Sequence, residues 1–352
     1  MRIDGGADIE LSALPIGSLI GSGGQGQVLE LTGTDILCKR YRDPSGTNGE
    51  ALAALAAFRQ RLPSVDREFL DSIASWPLCR VTDRGRGVGF LMRRAPGEFS
   101  WRTPQATSKL LELQYLIRPS KVGYRTIPQP TPSERRALAL ACVRVVDWFH
   151  RRGMVVGDIS HANVLWSLQP EPRVHFLDCD GFRPIDGVTV LAATDTPDWS
   201  DPLTPPSQHD FDSDAYKTAL AVTRIITRDP YLVPGDRLEP VAESLDRYQE
   251  ATVRKLFSDA AGARRTRPVL SEWIHALSDH GREAEQPVRF QEESTDAKPL
   301  YLDLDDRSDE LEPRSPVVEP DPAEPPPPPT KAPPASREVR DRKPINLRVS
   351  GR

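Results

Sequence analysis

The sequence predicts an α+β protein: a β-rich N-terminal stretch, a larger helical part, and a tail that packs with neither. Three observations carry this. Short apolar runs separated by turn residues fill positions 19–39 and 75–92, the pattern of strands. A 3.6-residue apolar period begins near Ser133 and holds to His150, the pattern of a buried helix. From about Glu283 periodicity stops, and an acidic stretch, the run Pro325 to Pro329 and a basic end from Arg337 to Arg352 replace it. The 35 prolines and 38% hydrophobic content of the 352 residues are too many and too low for one fully packed chain. The expected divisions are a lead-in over 1–14, a β-rich part over 15–94, a helical part over 95–282 and the tail over 283–352.

Charge and special residues narrow the classes. A net charge of −5 supplies no basic field, so nucleic acid is not an expected partner. Cys38, Cys79, Cys142 and Cys179 are scattered and form no CxxC pair, which fits reduced thiols better than a disulfide or zinc framework. No apolar run reaches 18 residues and no charged-then-apolar leader follows Met1. The expectation is a cytoplasmic chain with no membrane partner.

The N-terminal part begins with a lead-in that ends in the strand Leu19-Ile20. Gly21-Ser22-Gly23-Gly24-Gln25-Gly26-Gln27-Val28 follows, with glycines at 21, 23 and 26 in GxGxxG spacing. Missing Cβ atoms let backbone N–H groups approach a phosphate. The same spacing can open a dinucleotide-binding helix, but here a second strand, a turn at Gly33 and the strand Ile36-Leu37-Cys38-Lys39 come next. A hairpin is therefore expected, and a plain Gly-rich surface hairpin fits the same residues. Asn48-Gly49-Glu50 opens a helical run from Ala51 to Leu62, closed by Pro63. Residues 75–81 and 87–92 read as two strands joined by the polar turn 82–86.

In the helical part, Lys109 to Ile117 has a helical period and Pro119 to Pro132 is turn-rich. Ser133-Glu134 starts a long helix whose apolar face holds Leu138, Ala141, Cys142, Val145, Val146, Trp148 and Phe149, with Gly153 ending it. It feeds into Val155-Val156-Gly157-Asp158-Ile159-Ser160-His161-Ala162-Asn163-Val164, where Asp158 and Asn163 stand five positions apart. A β-type run, Val174 to Leu177, then delivers Asp178 in Asp178-Cys179-Asp180-Gly181. A carboxylate to take a hydroxyl proton, an amide to hold Mg²⁺ and a second carboxylate for that metal are what phosphoryl transfer requires. Asp210 to Tyr216 opens an apolar helix over 219–226, and Arg267 to Trp273 begins an amphipathic last helix.

These stretches resemble the protein-kinase family over roughly residues 15–280, in detail most like divergent bacterial kinases of the eukaryotic type. The resemblance implies a two-lobed fold with a small β-rich lobe and a larger helical one, and ATP and Mg²⁺ as cofactors. It implies that Gly21, Ser22, Gly23, Gly24, Gln25, Gly26 and Val28 close over the phosphates, and that Lys39 grips them. A helix acid should pair with Lys39, Glu50 first and Glu68 second. Met92, with Arg93 and Arg94, should meet the adenine. Asp158 would be the catalytic base, Asn163 and Asp178 the metal ligands. Asp180 would point elsewhere, although it too could hold a second Mg²⁺. Asp214 would hydrogen-bond back to the loop of Asp158.

Departures from the family also carry expectations. Val156-Gly157 replaces His-Arg, which implies no clamp for a phosphate on the activation segment. Ser160 stands where a lysine is usual; neighbouring His161 is either its partial substitute or a solvent-exposed loop histidine. Thr196 to Pro202 resembles the end of an activation segment, but Asp201-Pro202-Leu203 replaces Ala-Pro-Glu, so the usual buried Glu–Arg pair should be missing.

The activity implied is transfer of the γ-phosphoryl group of ATP to Ser/Thr hydroxyls of a protein substrate. Gly157-Asp158 and Asp178-Cys179-Asp180 are also similar to small-molecule phosphotransferases that modify antibiotics. The missing Arg and Lys around Asp158 fit a pseudokinase scaffold. The stretch Thr196–Asp214, which resembles a peptide-binding segment and its supporting helix, favours the protein kinase. In the tail the proline run should be a stiff polyproline II spacer. Lys343-Pro344-Ile345-Asn346-Leu347 would be a docking arm for an adaptor, or plain linker, and the resemblance adds a matching phosphatase as a partner.

Overall fold

The computed structural model describes residues 8–279; the first half of the lead-in and the tail, with its proline run and docking arm, lie outside the described residues. In chain order the strands of the N-terminal region are β1 (Ile9–Glu10), β2 (Ile16–Ser22), β3 (Gly26–Leu31) and β4 (Ile36–Tyr41). Helices α1 (Gly49–Arg61) and α2 (Ser64–Ile73) follow, then β5 (Cys79–Asp83) and β6 (Arg86–Arg93). The six strands form one sheet in the order β1-β5-β6-β4-β3-β2. Its hairpins turn where the sequence supplies left-handed backbone, at Gly33 (φ 76°) and at Arg84-Gly85 (φ 52° and 78°), the conformation a tight two-residue hairpin demands.

Alternation along β4 divides its side chains between two cores. Ile36 and Cys38 join Leu31, Leu78, Cys79, Val81 and Leu91 in a small cluster on one face. Leu37 and Tyr41 join the main core on the other, with Phe90 and Met92 of β6. Lys39 falls on that second face, the one turned toward the helical part.

Three expectations are corrected here. Residues 9–14 are not a separate lead-in, because β1 pairs in parallel with β5, Ile9 opposite Val81. Two helices, not one, connect β4 to β5, and Arg59 of α1 ties them together by a two-pronged bond to Asp71 of α2 at 2.7 and 2.5 Å. The period over 109–117 belongs mostly to extended chain: β7 (Ser100–Arg102) and β8 (Ser108–Leu110) form a hairpin, and only α3 (Gln114–Ile117) is helical. The apolar residues Leu111 and Leu113 hydrogen-bond to Trp166 and Val164 instead, at 3.0 and 2.8 Å. Tertiary pairing thus overrides the local period.

The helical part follows. α4 (Pro132–His150) starts with a reciprocal cap between Thr131 and Glu134, which satisfies two otherwise orphaned N–H groups. β9 (Met154–Val155), β10 (Val164–Ser167), β11 (Arg173–Phe176) and β12 (Arg183–Pro184) form two small antiparallel pairs. α5 (Phe211–Thr227), α6 (Arg247–Asp259) and α7 (Leu270–Leu277) complete it. The expected α4 face is largely the buried one: Leu138, Cys142, Val145, Val146 and Phe149. An aromatic stack of Trp76, Phe149 and Phe182, with ring centres 5.7 and 4.8 Å apart, joins the residues after α2 to α4 and to the chain beyond β11. All four cysteines are buried and unpaired. Among the described residues no helix is long and apolar enough to cross a membrane.

Candidate active site

The loop 156–163 is held from below by α5. Asp214, fully buried in its first turn, accepts the N–H of Val156 at 2.7 Å, the N–H of Gly157 at 2.8 Å and bonds His150 Nε2 at 2.9 Å. The expected bond from Asp214 back to this loop is present. Gly157 has φ 82° and a Cβ there would stand 3.4 Å from His209 Nδ1. That explains the departure from His-Arg physically: the left-handed backbone strains any side chain at this position.

Register brings the remaining acids and amide together. β10 and β11 pair with Val164 opposite Phe176, so the next step outward sets Asn163 against Leu177, whose N–H donates to Asn163 O at 2.8 Å. Asp178 follows at once, in left-handed conformation (φ 52°), and turns the chain sharply. Asp158, Asn163, Asp178 and Asp180 line a single pocket, together with Gln25, Thr189 and the segment Leu191 to Thr194. Asn163 Nδ2 donates to Asp158 Oδ2 at 2.8 Å and to its backbone carbonyl at 3.0 Å. The amide oxygen of Asn163 is then the atom available to a cation.

Lys39 is where the site departs most from expectation. Its ammonium is buried and donates to both oxygens of Asp180, at 2.7 and 3.0 Å, with Asp178 at 3.4 Å and Gln25 at 3.4 Å. Burial works to lower the Lys39 pKa, but the Asp180 and Asp178 carboxylates outweigh it and hold the ammonium above its ordinary range. Neither Glu50 nor Glu68 is its partner; both are exposed. The helix of Glu50 is fixed by its capping Asn48, whose side chain takes the N–H of Glu50 and Ala51, so Glu50 serves the first turn. Asp180 does not point elsewhere: it is 2% exposed and faces Lys39, whereas the Asp178 side chain is 54% exposed. Tyr41, two residues along β4 from Lys39, donates its hydroxyl to Asp180 Oδ2 at 3.1 Å. Burial and the Asp180 charge push the phenol up, so it remains a donor.

The glycine loop reaches this pair through Gln25. Gly21 and Ser22 end β2, Gly23 to Gln25 form the turn, and Gly26 and Val28 lie on β3. Of these, Gln25 lines the pocket. Arg42 fastens the turn, donating its side chain to Gly23 O at 3.0 Å and its N–H to Gln25 O at 2.9 Å. A Cβ on Gly26 would lie 2.3 Å from Arg40 O, while Gly23 and Gly24 have open space. The close approach of β4 therefore demands Gly26 with or without a ligand. Met92 is buried opposite Leu37 and is not among the residues lining this pocket.

On the far side, the segment after β12 reaches the loop of Asp158. The Thr196 N–H donates to Asp158 Oδ1 at 3.2 Å, and its hydroxyl bonds Asp158 Oδ2 and Ser160 Oγ, each at 3.0 Å. Ser160 is buried, and the lysine position is filled by a hydroxyl pair. His161 is half-buried beside Trp199 with ring centres 5.9 Å apart, and its Nδ1 has no partner among the described residues. It does not line the pocket, so it supplies no cation there. Asp201 corrects another expectation: it forms a buried two-pronged pair with Arg267, both bonds 2.7 Å, so the pair expected to be missing exists with Asp in place of Glu.

Sequence reasoning missed Tyr41 and Lys217, although signals for both were present. Tyr41 shares the face of Lys39 by the two-residue period of a strand, and Lys217 is a lone charge one helical turn beyond Asp214. No family model matches the chain, and no curated protein matches it.

Proposed function

We propose that this chain is an ATP- and Mg²⁺-dependent phosphotransferase of the protein-kinase type, transferring the γ-phosphoryl group to Ser/Thr hydroxyls of a protein. In this reading the sheet region and the helical part are the two lobes, and the pocket is the cleft between them. The observation that carries it is the convergence of Asp158, Asn163, Asp178 and Asp180, drawn from distant parts of the sequence, on one pocket, with Lys39 bonded to the last two of them.

The donor set fits Mg²⁺, a hard cation that takes oxygen ligands and is usually held by one or two carboxylates plus phosphates. Asp178, exposed and only loosely held by Lys39, and the free amide oxygen of Asn163 would bind it. Among the described residues no three His, Cys, Asp or Glu side chains form a ready cage, so phosphate oxygens would complete the shell. When bound, the ion neutralises charge that develops on the phosphoryl oxygens. Lys39, kept charged by Asp180 and Asp178, would add the second cation.

Asp158 can accept the acceptor's proton by count. An ionised carboxylate has about four lone-pair sites, and Thr196 and Asn163 occupy three, two of them on Oδ2. The remaining site is on Oδ1. A hydroxyl arriving there is oriented by a carboxylate that cannot itself turn, since three donors fix it.

The test is incubation of the full chain with labelled ATP and Mg²⁺, offering the chain itself, a generic protein and a small-molecule panel as acceptors, alongside Asp158→Ala. Label on protein that disappears in the variant is the expected result. Label on small molecules alone selects the antibiotic-modifying type of phosphotransferase. A folded chain that transfers nothing removes the proposal and leaves a scaffold role.

A further inference from the structure

Lys217 is a buried lysine that the reading above leaves without a task. It lies on α5 with no exposed surface. An ammonium has three N–H donors, and here three polar atoms meet it. They are Gly157 O at 2.8 Å, His209 Nε2 at 3.1 Å and Asp195 Oδ1, a short contact. His209 is itself 3.0 Å from Asp195 Oδ1. Burial and the adjacent Lys217 charge lower the His209 pKa. The two oxygen partners of Lys217, a carbonyl and a carboxylate, hold the ammonium in a water-free setting where such bonds are strong.

Its two oxygen partners lie on different elements. Gly157 immediately precedes Asp158. Asp195 immediately precedes Thr196, which makes two of the three bonds to the Asp158 carboxylate. The segment is also pinned at its ends: Val190 is buried and its carbonyl accepts the Asn48 N–H at 2.7 Å, while Trp199 is buried with the Arg224 guanidinium over its ring. Between these anchors, Asp195 is the charged tie to the helical part.

We propose that Lys217 is a positioning residue that clamps segment 190–199 onto the loop of Asp158 through the resident carboxylate of Asp195, so that the segment is ordered without any phosphate added to it. This rests on the reading of Asp158 as the group that orients the acceptor hydroxyl. In that reading the clamp acts on the acceptor side of the site and not on the nucleotide side.

Hydrogen exchange on the full chain, first treated with a phosphatase and shown by mass to carry no phosphate, reads the clamp without any transfer reaction. Wild type should protect the hydrogen-bonded amides of Thr196 and Trp199. Lys217→Met should lose that protection while α5 and α4 retain theirs, and Asp195→Asn tests the same tie from the segment if Lys217→Met does not fold. Where transfer is measurable, both variants should lose at least about a hundredfold in kcat or raise the acceptor KM, the scale on which small misplacement of a reacting group acts. The KM for ATP should be unchanged. A chain that transfers nothing yet shows this exchange pattern supports the clamp and removes the function. Wild-type exchange in both variants overturns the clamp, as does protection that appears only in phosphorylated chain.

Discussion

The bond between Lys39 and Asp180 makes a prediction that needs no assumption about activity. Both side chains are almost wholly buried and 2.7 Å apart, and removing one partner from such a pair typically costs about 3–5 kcal/mol because the other charge stays buried and uncompensated. Lys39→Met strands Asp180 with only the Tyr41 hydroxyl, so the upper part of that range, about 4–5 kcal/mol, is expected. Asp180→Asn is milder. Asp178 already stands 3.4 Å from the ammonium and can take over part of the compensation, which puts the loss near about 3 kcal/mol. The pair Lys39→Met with Asp180→Asn should lose about 2 kcal/mol less than the sum of the single losses, a coupling within the range seen for residues in one network. Urea unfolding followed by far-UV circular dichroism and by tryptophan fluorescence measures all four corners of the cycle. Single losses below about 1 kcal/mol, or additivity within about 0.5 kcal/mol, would refute the assignment of Asp180 as the partner of Lys39.

Other expectations follow from neighbouring observations. Asp201→Asn leaves the buried Arg267 with only the Asp212 carboxylate, at 3.2 Å, and should lower stability by about 3 kcal/mol in the same unfolding assay. Gly26→Ala forces a methyl to 2.3 Å from Arg40 O; it should cost about 1–3 kcal/mol with no nucleotide present, whereas Gly23→Ala and Gly24→Ala leave stability nearly unchanged. His175 is buried between Ser75 Oγ and the Ser72 carbonyl, and burial lowers its pKa from 6.5 to about 4. The unfolded chain therefore takes up this proton first as pH falls. Stability is complete above pH 6.5 and declines toward pH 4, by up to about 3 kcal/mol at 1.36 kcal/mol per pH unit. Unfolding curves of wild type and His175→Gln across that window should differ in pH slope by this amount, and parallel curves would exclude it.

Much of the molecule was legible in the one-dimensional pattern. The hairpin after the glycines, the pair of strands around Arg84-Gly85 and the long helix ending before Gly153 each announce themselves through local period and turn chemistry, which act over a few residues. The spacing of Asp158 and Asn163, and Asp178 at the end of a strand, were sufficient to bring three site residues together, because the register of β10 on β11 leaves them no other place. What a lysine will pair with is a different kind of fact. Glu50 was the better candidate by position in the sequence, yet the carboxylate that reaches Lys39 is 141 residues away, brought there by a left-handed turn at Asp178. The pairing of Asp201 with Arg267, the strand-like path of Leu111 and Leu113, and the three polar atoms around Lys217 are of this sort too. Sequence alone determined most of the elements and the residue types of the loop, since backbone preference and hydrophobic period are local. Only the tertiary structure decided which buried charge answers which, because that depends on the distance between groups the chain separates and on burial that leaves each no water to turn to.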